Sequence, residues 1–492
     1  MRNNIISYII LTLYIICGIT VDPEAQNITI TGNSKEYAGE KLTFCKYSDR
    51  ITFIEEQAGQ CIVSGNGDFK CEFSLERTEQ LFIYLGTYKG IIYAEPGADY
   101  EINLPERTDK TMKDILNPYF EETVVYLGIL NSYQNELNFI IRKFDDIYSE
   151  FIDQYYFELT RQKFSKTDTV ITKINNLFSG IDNEYFIAYK NYKLAALRQL
   201  AYKQRTDFTT FRYFRHKPIL YNNIAYMDLF NNMYKHFFSL YVMRKDGEQL
   251  FNNIAHGKSF TALKQTLHKN MELQDDTLKE LVILKGLYDA FYSGGIMEYR
   301  SFPHKQLLQT LDSLRILSSI PEHKKIAGNI FKKVTRLLTG FDAPDFELYN
   351  KDSILTSLDK FKGRYLYLNF STTLSFACQK DLEMLNELHK KFEKVIEIIT
   401  ISGDSDFNKT KKYFSEHDYN WTLLHYANQP NILKAYNVKA FPMYFIINPE
   451  GKLVMCPAPT PEEDIEYYLF KLAKPEKYEQ KDEEMDELFR KP

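Results

Sequence analysis

Cysteine is scarce. Six occur in 492 residues, at positions 17, 45, 61, 71, 378 and 456, too few and too scattered for a disulfide scaffold that would stand in for a core. Neither sign of charge dominates: a formal net charge of −5 gives no basic surface, so no nucleic-acid partner is expected. Tryptophan is nearly missing, one residue against 37 Tyr and 36 Phe, and the aromatics read as core filling rather than as a carbohydrate platform. No His-Glu-x-x-His or comparable spacing links His216, His236, His256, His268, His304 and His323, so neither a metal nor a cofactor is expected. Beyond the N-terminus no apolar run is long enough to span a bilayer, which leaves no transmembrane domain in the mature chain.

The N-terminus is the exception. Arg2 is the only charge before Asp22, and Ile5 to Val21 is apolar throughout. A short basic start followed by an apolar stretch partitions transiently into a membrane, as an export signal must. Residues 1–25 are therefore expected to be a signal peptide cleaved near Ala25-Gln26, although Pro23 fits the cleavage pattern poorly. A retained anchor is the alternative, since the run is nearly of spanning length. Lipidation of Cys17 is a third, opposed by the bulk of Ile16. Export implies an oxidising destination, in which cysteine pairs matter.

The remainder divides by periodicity into a multidomain α+β chain. Residues 26–107 alternate in short runs between Gly, Asn and Pro signals, the pattern of a small β-sandwich. Ser64-Gly65-Asn66-Gly67-Asp68 is a hairpin turn with Cys61 and Cys71 equidistant from Asn66. A three-residue loop sets these two cysteines opposite each other within disulfide reach, and a two-residue loop sets them on opposite faces as packed thiols. From 111 to 339 the period becomes helical: Leu137, Ile140, Phe144, Ile147 and Phe151 share one face, as do Tyr185, Ala188, Tyr192 and Ala195. This predicts an all-helical middle of about eight helices, with breaks at Lys217-Pro218, Gly257, Gly294-Gly295 and Pro321. From 340 to 473 apolar strands alternate with amphipathic helices, an α/β domain, and 474–492 is a charge-dense tail.

Three blocks in the last domain carry a resemblance. Gly340-Phe341-Asp342-Ala343-Pro344-Asp345-Phe346, the strand Lys362 to Phe370, and Ala440-Phe441-Pro442 followed by Met443 to Gly451 are ordered and spaced as in TlpA-like and AhpC-TSA-like thioredoxin-fold proteins. The β-rich and helical parts resemble an extension on Gram-negative envelope members of that family. The resemblance implies a thioredoxin-like fold, a thiol–disulfide oxidoreductase ancestry, a periplasmic or envelope location in a Gram-negative bacterium, and a polypeptide or envelope-protein partner in a groove formed by Phe441 and a cis Pro442. It also implies a C-x-x-C pair opening a helix, where free amides and the macrodipole stabilise a thiolate.

Here that motif departs from the family. After Phe370 the chain reads Ser371-Thr372-Thr373-Leu374-Ser375-Phe376-Ala377-Cys378, which puts Ser375 in the nucleophile's place and Cys378 in the resolving position. Ser371 and Leu374 stand where the family has tryptophans, and Asn369 where thioredoxins proper have a buried acid. A serine hydroxyl cannot exchange with a disulfide, and the nearest histidine, His389, is about four helical turns on. Dithiol turnover is expected to be absent. Two rescues remain open: Cys378 acting as a monothiol, or Cys456 partnering it. Peroxidatic chemistry of the P-x-x-x-[ST]-x-x-C kind lacks its proline, since none lies between Phe370 and Phe376. The alternative to all of these is a non-catalytic binding module using the groove beside Pro442.

Overall fold

Strand-forming residues open the described chain. The computed structural model describes residues 25–111, 114, 117, 119–161, 167–202, 206–245, 247–292, 302–429, 431–463 and 465–473. The expected signal peptide up to residue 24, the Gly294-Gly295 break and the charged tail lie outside these residues. The strands β1 (Gln26–Asn33), β2 (Lys41–Tyr47), β3 (Glu55–Ile62), β4 (Asp68–Leu75), β5 (Glu79–Leu85), β6 (Tyr88–Ala94), β7 (Asp99–Asn103), β8 (Thr123–Tyr126) and β9 (Gly128–Ile129) form two sheets. Their orders are β4-β1-β7-β9 and β3-β2-β5-β6-β8. Alternate residues such as Ile28, Ile30, Phe44, Leu81, Ile83 and Ile102 point into one shared core and are fully buried.

Two expectations need correction here. The β-rich part does not stop at 107: Thr123-Val124-Val125-Tyr126 is a β-branched and aromatic run that pairs parallel with β6, and β9 pairs with β7. Ser64 N–H to Asp68 O closes a three-residue loop at 2.8 Å, yet β3 and β4 do not form one ladder. They are edge strands of different sheets. Cys61 and Cys71 are joined by a disulfide with their Cα atoms 5.0 Å apart, so the bridge ties the edges of the two layers together.

The helices that follow are α1 (Leu137–Thr160), α2 (Thr167–Leu177), α3 (Glu184–Tyr202), α4 (Thr206–Tyr213), α5 (Ile224–Met233), α6 (Phe237–Val242), α7 (Gly247–Asn252), α8 (Phe260–His268), α9 (Asp276–Tyr292), α10 (His304–Leu317) and α11 (Pro321–Thr335). Pro321 opens α11 rather than ending a helix, as suits a residue with no N–H to donate at the first turn. Phe144 sits against Phe178, Phe186 and Tyr189 with ring centroids 5.9, 6.0 and 5.9 Å away, so the aromatic richness of the sequence is spent on this core. The sandwich and helices are one compact unit, residues 25–109 with 122–329, rather than two domains. Buried amides explain it: Asn138 accepts from Tyr93 N–H at 2.6 Å and donates to Tyr93 O at 2.8 Å, and Asn231 donates to Arg50 O at 2.7 Å.

The second unit, residues 110–121 with 330–473, contains β10 (Glu347–Asn350), β11 (Leu355–Ser357), β12 (Tyr365–Ser371), α12 (Phe376–Phe392), β13 (Ile396–Ser402), α13 (Phe407–Glu416), β14 (Thr422–His425), α14 (Asn431–Ala435), β15 (Met443–Ile447), β16 (Leu453–Ala458) and α15 (Ile465–Ala473). The sheet order is β11-β10-β14-β13-β12-β15-β16, with β12, β13 and β14 parallel. One face buries Leu366, Leu368 and Phe370 with Ile399, Ile401 and Phe445. The other buries Tyr367, Ile398, Leu423 and Tyr444 beneath Leu382 and Leu385 of α12. The opening block has a structural purpose: Gly340 N–H donates to Leu453 O at 2.7 Å and Ala343 N–H to Gly451 O at 2.9 Å, which fastens it to the β15–β16 hairpin.

Candidate functional site

β12 is central, flanked by parallel β13 and antiparallel β15, and the chain leaves it at the end where parallel strands present their loops. Thr372 to Leu374 turn into α12, with Ser375 at its N-cap. That turn is held by Asp404, which follows β13 and is buried. The Asp404 carboxylate accepts from Thr373 N–H at 3.0 Å, Thr373 Oγ1 at 3.0 Å, Thr410 Oγ1 at 2.8 Å and also from Thr372 Oγ1. Gly403 N–H donates to Ser371 O at 2.9 Å and Gln379 Nε2 to Thr373 O at 2.7 Å. Behind Asp404, His425 donates from Nε2 to its carbonyl at 2.8 Å and stacks on Phe407 at 4.5 Å. A buried carboxylate with this many donors is a rigid anchor.

Pro442 comes next to this turn by register. Phe370 pairs with Met443, so Pro442 lies beside Ser371, and the Phe441–Pro442 bond is cis. The ring of Phe441 packs over Gly403, where a Cβ would fall 2.6 Å from its Cζ. Both Phe441 and Pro442 are half-buried.

Ser375 is partly exposed and its hydroxyl caps no backbone amide. On either side Leu374 and Phe376 are 81% and 82% exposed. Cys378, one turn into the helix, has no exposed surface at all. His389 cannot serve Ser375 as a base: it is fourteen residues along α12, roughly 21 Å at the helical rise, and packs against Trp421 with ring centroids 5.9 Å apart. Cys456 is no partner for Cys378. Both thiols are free, and Cys456 packs among Phe445 and Leu453 on the sheet face opposite α12. Burial pushes its thiol up to about 11.

A residue that carries no motif sits beneath Cys378. Asp381, three residues further along α12, is buried and accepts from Tyr444 Oη at 2.7 Å. Burial raises its carboxyl above the usual range, with the Tyr444 hydrogen bond opposing. Asn369 lies fully buried near the same hydroxyl, in a contact too loose for a well-formed hydrogen bond. The signal was present in the spacing, since Cys378 and Asp381 at i, i+3 share the inward face of a helix. No group of three or more His, Cys, Asp or Glu side chains is placed to hold a metal ion among the described residues. Nor is any helix of the described residues long and apolar enough to cross a membrane.

The strand order, the crossover helix opening at Ser375 and the cis-proline strand beside it define a thioredoxin-like domain. Residues 339–455 match the model of the AhpC/TSA family. The thiol-disulfide oxidoreductase ResA of Bacillus cereus is 29% identical over 144 residues, covering 29% of this chain and 83% of the relative. ResA of Bacillus subtilis is 26% identical over 151 residues, 30% of this chain and 84% of that protein. The crystal structure of the thioredoxin domain of a thiol-disulfide oxidoreductase from Bacteroides vulgatus is 24% identical, covering 27% of this chain and 99% of its own, with a TM-score of 0.25. The C-terminal domain is thus thioredoxin-like, and it is similar to the AhpC/TSA family and to the ResA thiol-disulfide oxidoreductases.

Proposed function

We propose that this chain is an exported, envelope-located thioredoxin-fold protein that holds an extended polypeptide beside Pro442 and does not turn over dithiols. The observation that carries the reading is the complete burial of Cys378 with, among the described residues, no second thiol on its face of the sheet. Disulfide exchange needs an accessible thiolate to attack and a neighbouring thiol to release the mixed disulfide. Ser375, in the place the resemblance gives to the attacking thiol, offers a hydroxyl with no adjacent base. What is retained suits grip: the half-buried Phe441-Pro442 edge, the turn pinned by Asp404, and the exposed Leu374 and Phe376. The export part of the reading is supported by the basic start and apolar run of the first twenty-one residues.

Thiol labelling tests this directly. With peptide mapping to separate it from Cys45 and Cys456, Cys378 should react with a maleimide at least about a hundredfold more slowly in the native protein than in urea, because reaction waits on local opening. Native labelling at the unfolded rate would mean an accessible thiol and would reinstate monothiol chemistry.

A further inference from the structure

The first unit contains a cavity of ≈ 260 Å³. It is bounded by the end of β2 and the residues after it, the β4–β5 connection, Tyr221 and the first turns of α11. Arg50 lines it and is only 7% exposed. An arginine so buried ordinarily meets a carboxylate, because its charge has lost most of its water. Among the described residues Arg50 has no such partner. Its five N–H donors find one protein acceptor, Gln80 Oε1 at 3.4 Å, and its guanidinium sits 5.5 Å from the Tyr47 ring.

The neighbouring acids do not fill that role. Asp49 is occupied by Ile51 N–H at 2.8 Å, Thr52 N–H at 2.6 Å and Asn329 Nδ2 at 2.8 Å. Glu76 lies 4.0 Å from Arg77, and Lys325 is 3.7 Å from Glu56. Glu79 lines the same cavity, and no donor of the described residues reaches its carboxylate. Burial raises its pKa, while Lys46, Arg77, Arg50 and Lys325 pull it back. The cavity therefore carries a buried cation and a desolvated anion that are not paired with each other. Tyr221 pairs with His323 Nε2 at 2.9 Å and makes no hydrogen bond to Arg50 or Glu79.

A plain anion would satisfy Arg50 and be repelled by Glu79, and a plain amine would do the reverse. An occupant bearing both charges satisfies the two together. The volume suits a molecule larger than water and smaller than a folded segment. We propose that this cavity binds a small zwitterion of the amino-acid or dipeptide class, its carboxylate on Arg50 and its ammonium on Glu79. The site belongs to the first unit and does not rest on the function proposed for the second.

Calorimetric titration of the full chain tests it, with L-alanine and glycylglycine as probes and acetate and methylammonium as the separate halves. One of the two zwitterions should bind at one site per chain, at least about tenfold tighter than either half. Arg50→Gln and Glu79→Gln should each weaken it at least about tenfold, the loss expected for one charged hydrogen-bonding partner. Melting curves confirm that the variants are folded, and the comparison of whole and half ligands on the wild type decides the matter without them. Absence of binding by both zwitterions, acetate binding as tightly as either, or an unchanged affinity in folded Glu79→Gln would each overturn the proposal.

Discussion

Asp404 belongs to no motif, and the turn that presents Ser375 depends on it. Its carboxylate gathers the Thr372, Thr373 and Thr410 side chains and the Thr373 amide into one buried network. Replacing it with alanine leaves those donors buried without an acceptor, which costs about 2 kcal/mol or more. Urea unfolding of Asp404→Ala should show that loss, and an unchanged midpoint would mean that water takes over every bond. Nothing in the local sequence announces this role, because Gly403-Asp404-Ser405-Asp406 reads as an ordinary polar loop. Cys378, Ser375 and Pro442, by contrast, are singled out by the resemblance to the family's motif blocks. The burial of Cys378 was less so: helical phase suggests it, and only the packing of α12 on the sheet completes it.

At the scale of elements, long and strongly periodic segments were readable and short ones were not. β12, β13 and β15 are largely apolar runs of seven, seven and five residues. β10 and β11, of 4 and 3 residues, carry too little pattern to separate from loop. The β3–β4 turn was readable as a turn, but which sheet each arm joins is decided by non-local pairing with β2 and β1. That arrangement gives the Cys61–Cys71 bridge its leverage, since it closes a loop across two layers rather than along one ladder. Replacing both cysteines by serine should lower the stability of the first unit by about 3 kcal/mol, read as a shift in its denaturant midpoint.

The helices have their own acid-sensitive joint. On α9, desolvation pushes the Glu280 carboxyl up, and hydrogen bonds from His323, Lys264 and Ser318 outweigh it and bring it down to about 2. A carboxyl depressed in the folded state adds stability above its unfolded pKa near 4.5 and gives it up as the pH falls toward 2. Glu280→Gln should therefore flatten the decline in stability between about pH 4.5 and pH 2. A decline as steep as that of the wild type would mean that other carboxylates govern acid unfolding.

For the molecule as a whole, the proposed function keeps a thioredoxin-like fold without disulfide exchange. The cis proline and the crossover helix are present, while Cys378 is buried and Cys456 packs on the opposite face of the sheet. Sequence could supply the first half of that contrast because the three motif blocks meet in space: Gly363 N–H bonds Pro449 O at 2.9 Å, and the Gly340 block bonds the same hairpin. The packing of sandwich and helices into one unit was not legible, because it rests on single amides such as Asn138 and Asn231 rather than on any periodic stripe.

The measurement that bears most directly on the central claim is reduction of insulin disulfides by the full chain in the presence of dithiothreitol, comparing wild type, Ser375→Cys and Cys378→Ala. Wild type and Cys378→Ala should both stay at the uncatalysed rate, whereas Ser375→Cys regains turnover because the second thiol then stands one helical turn away. Wild-type turnover that disappears in Cys378→Ala would contradict the account.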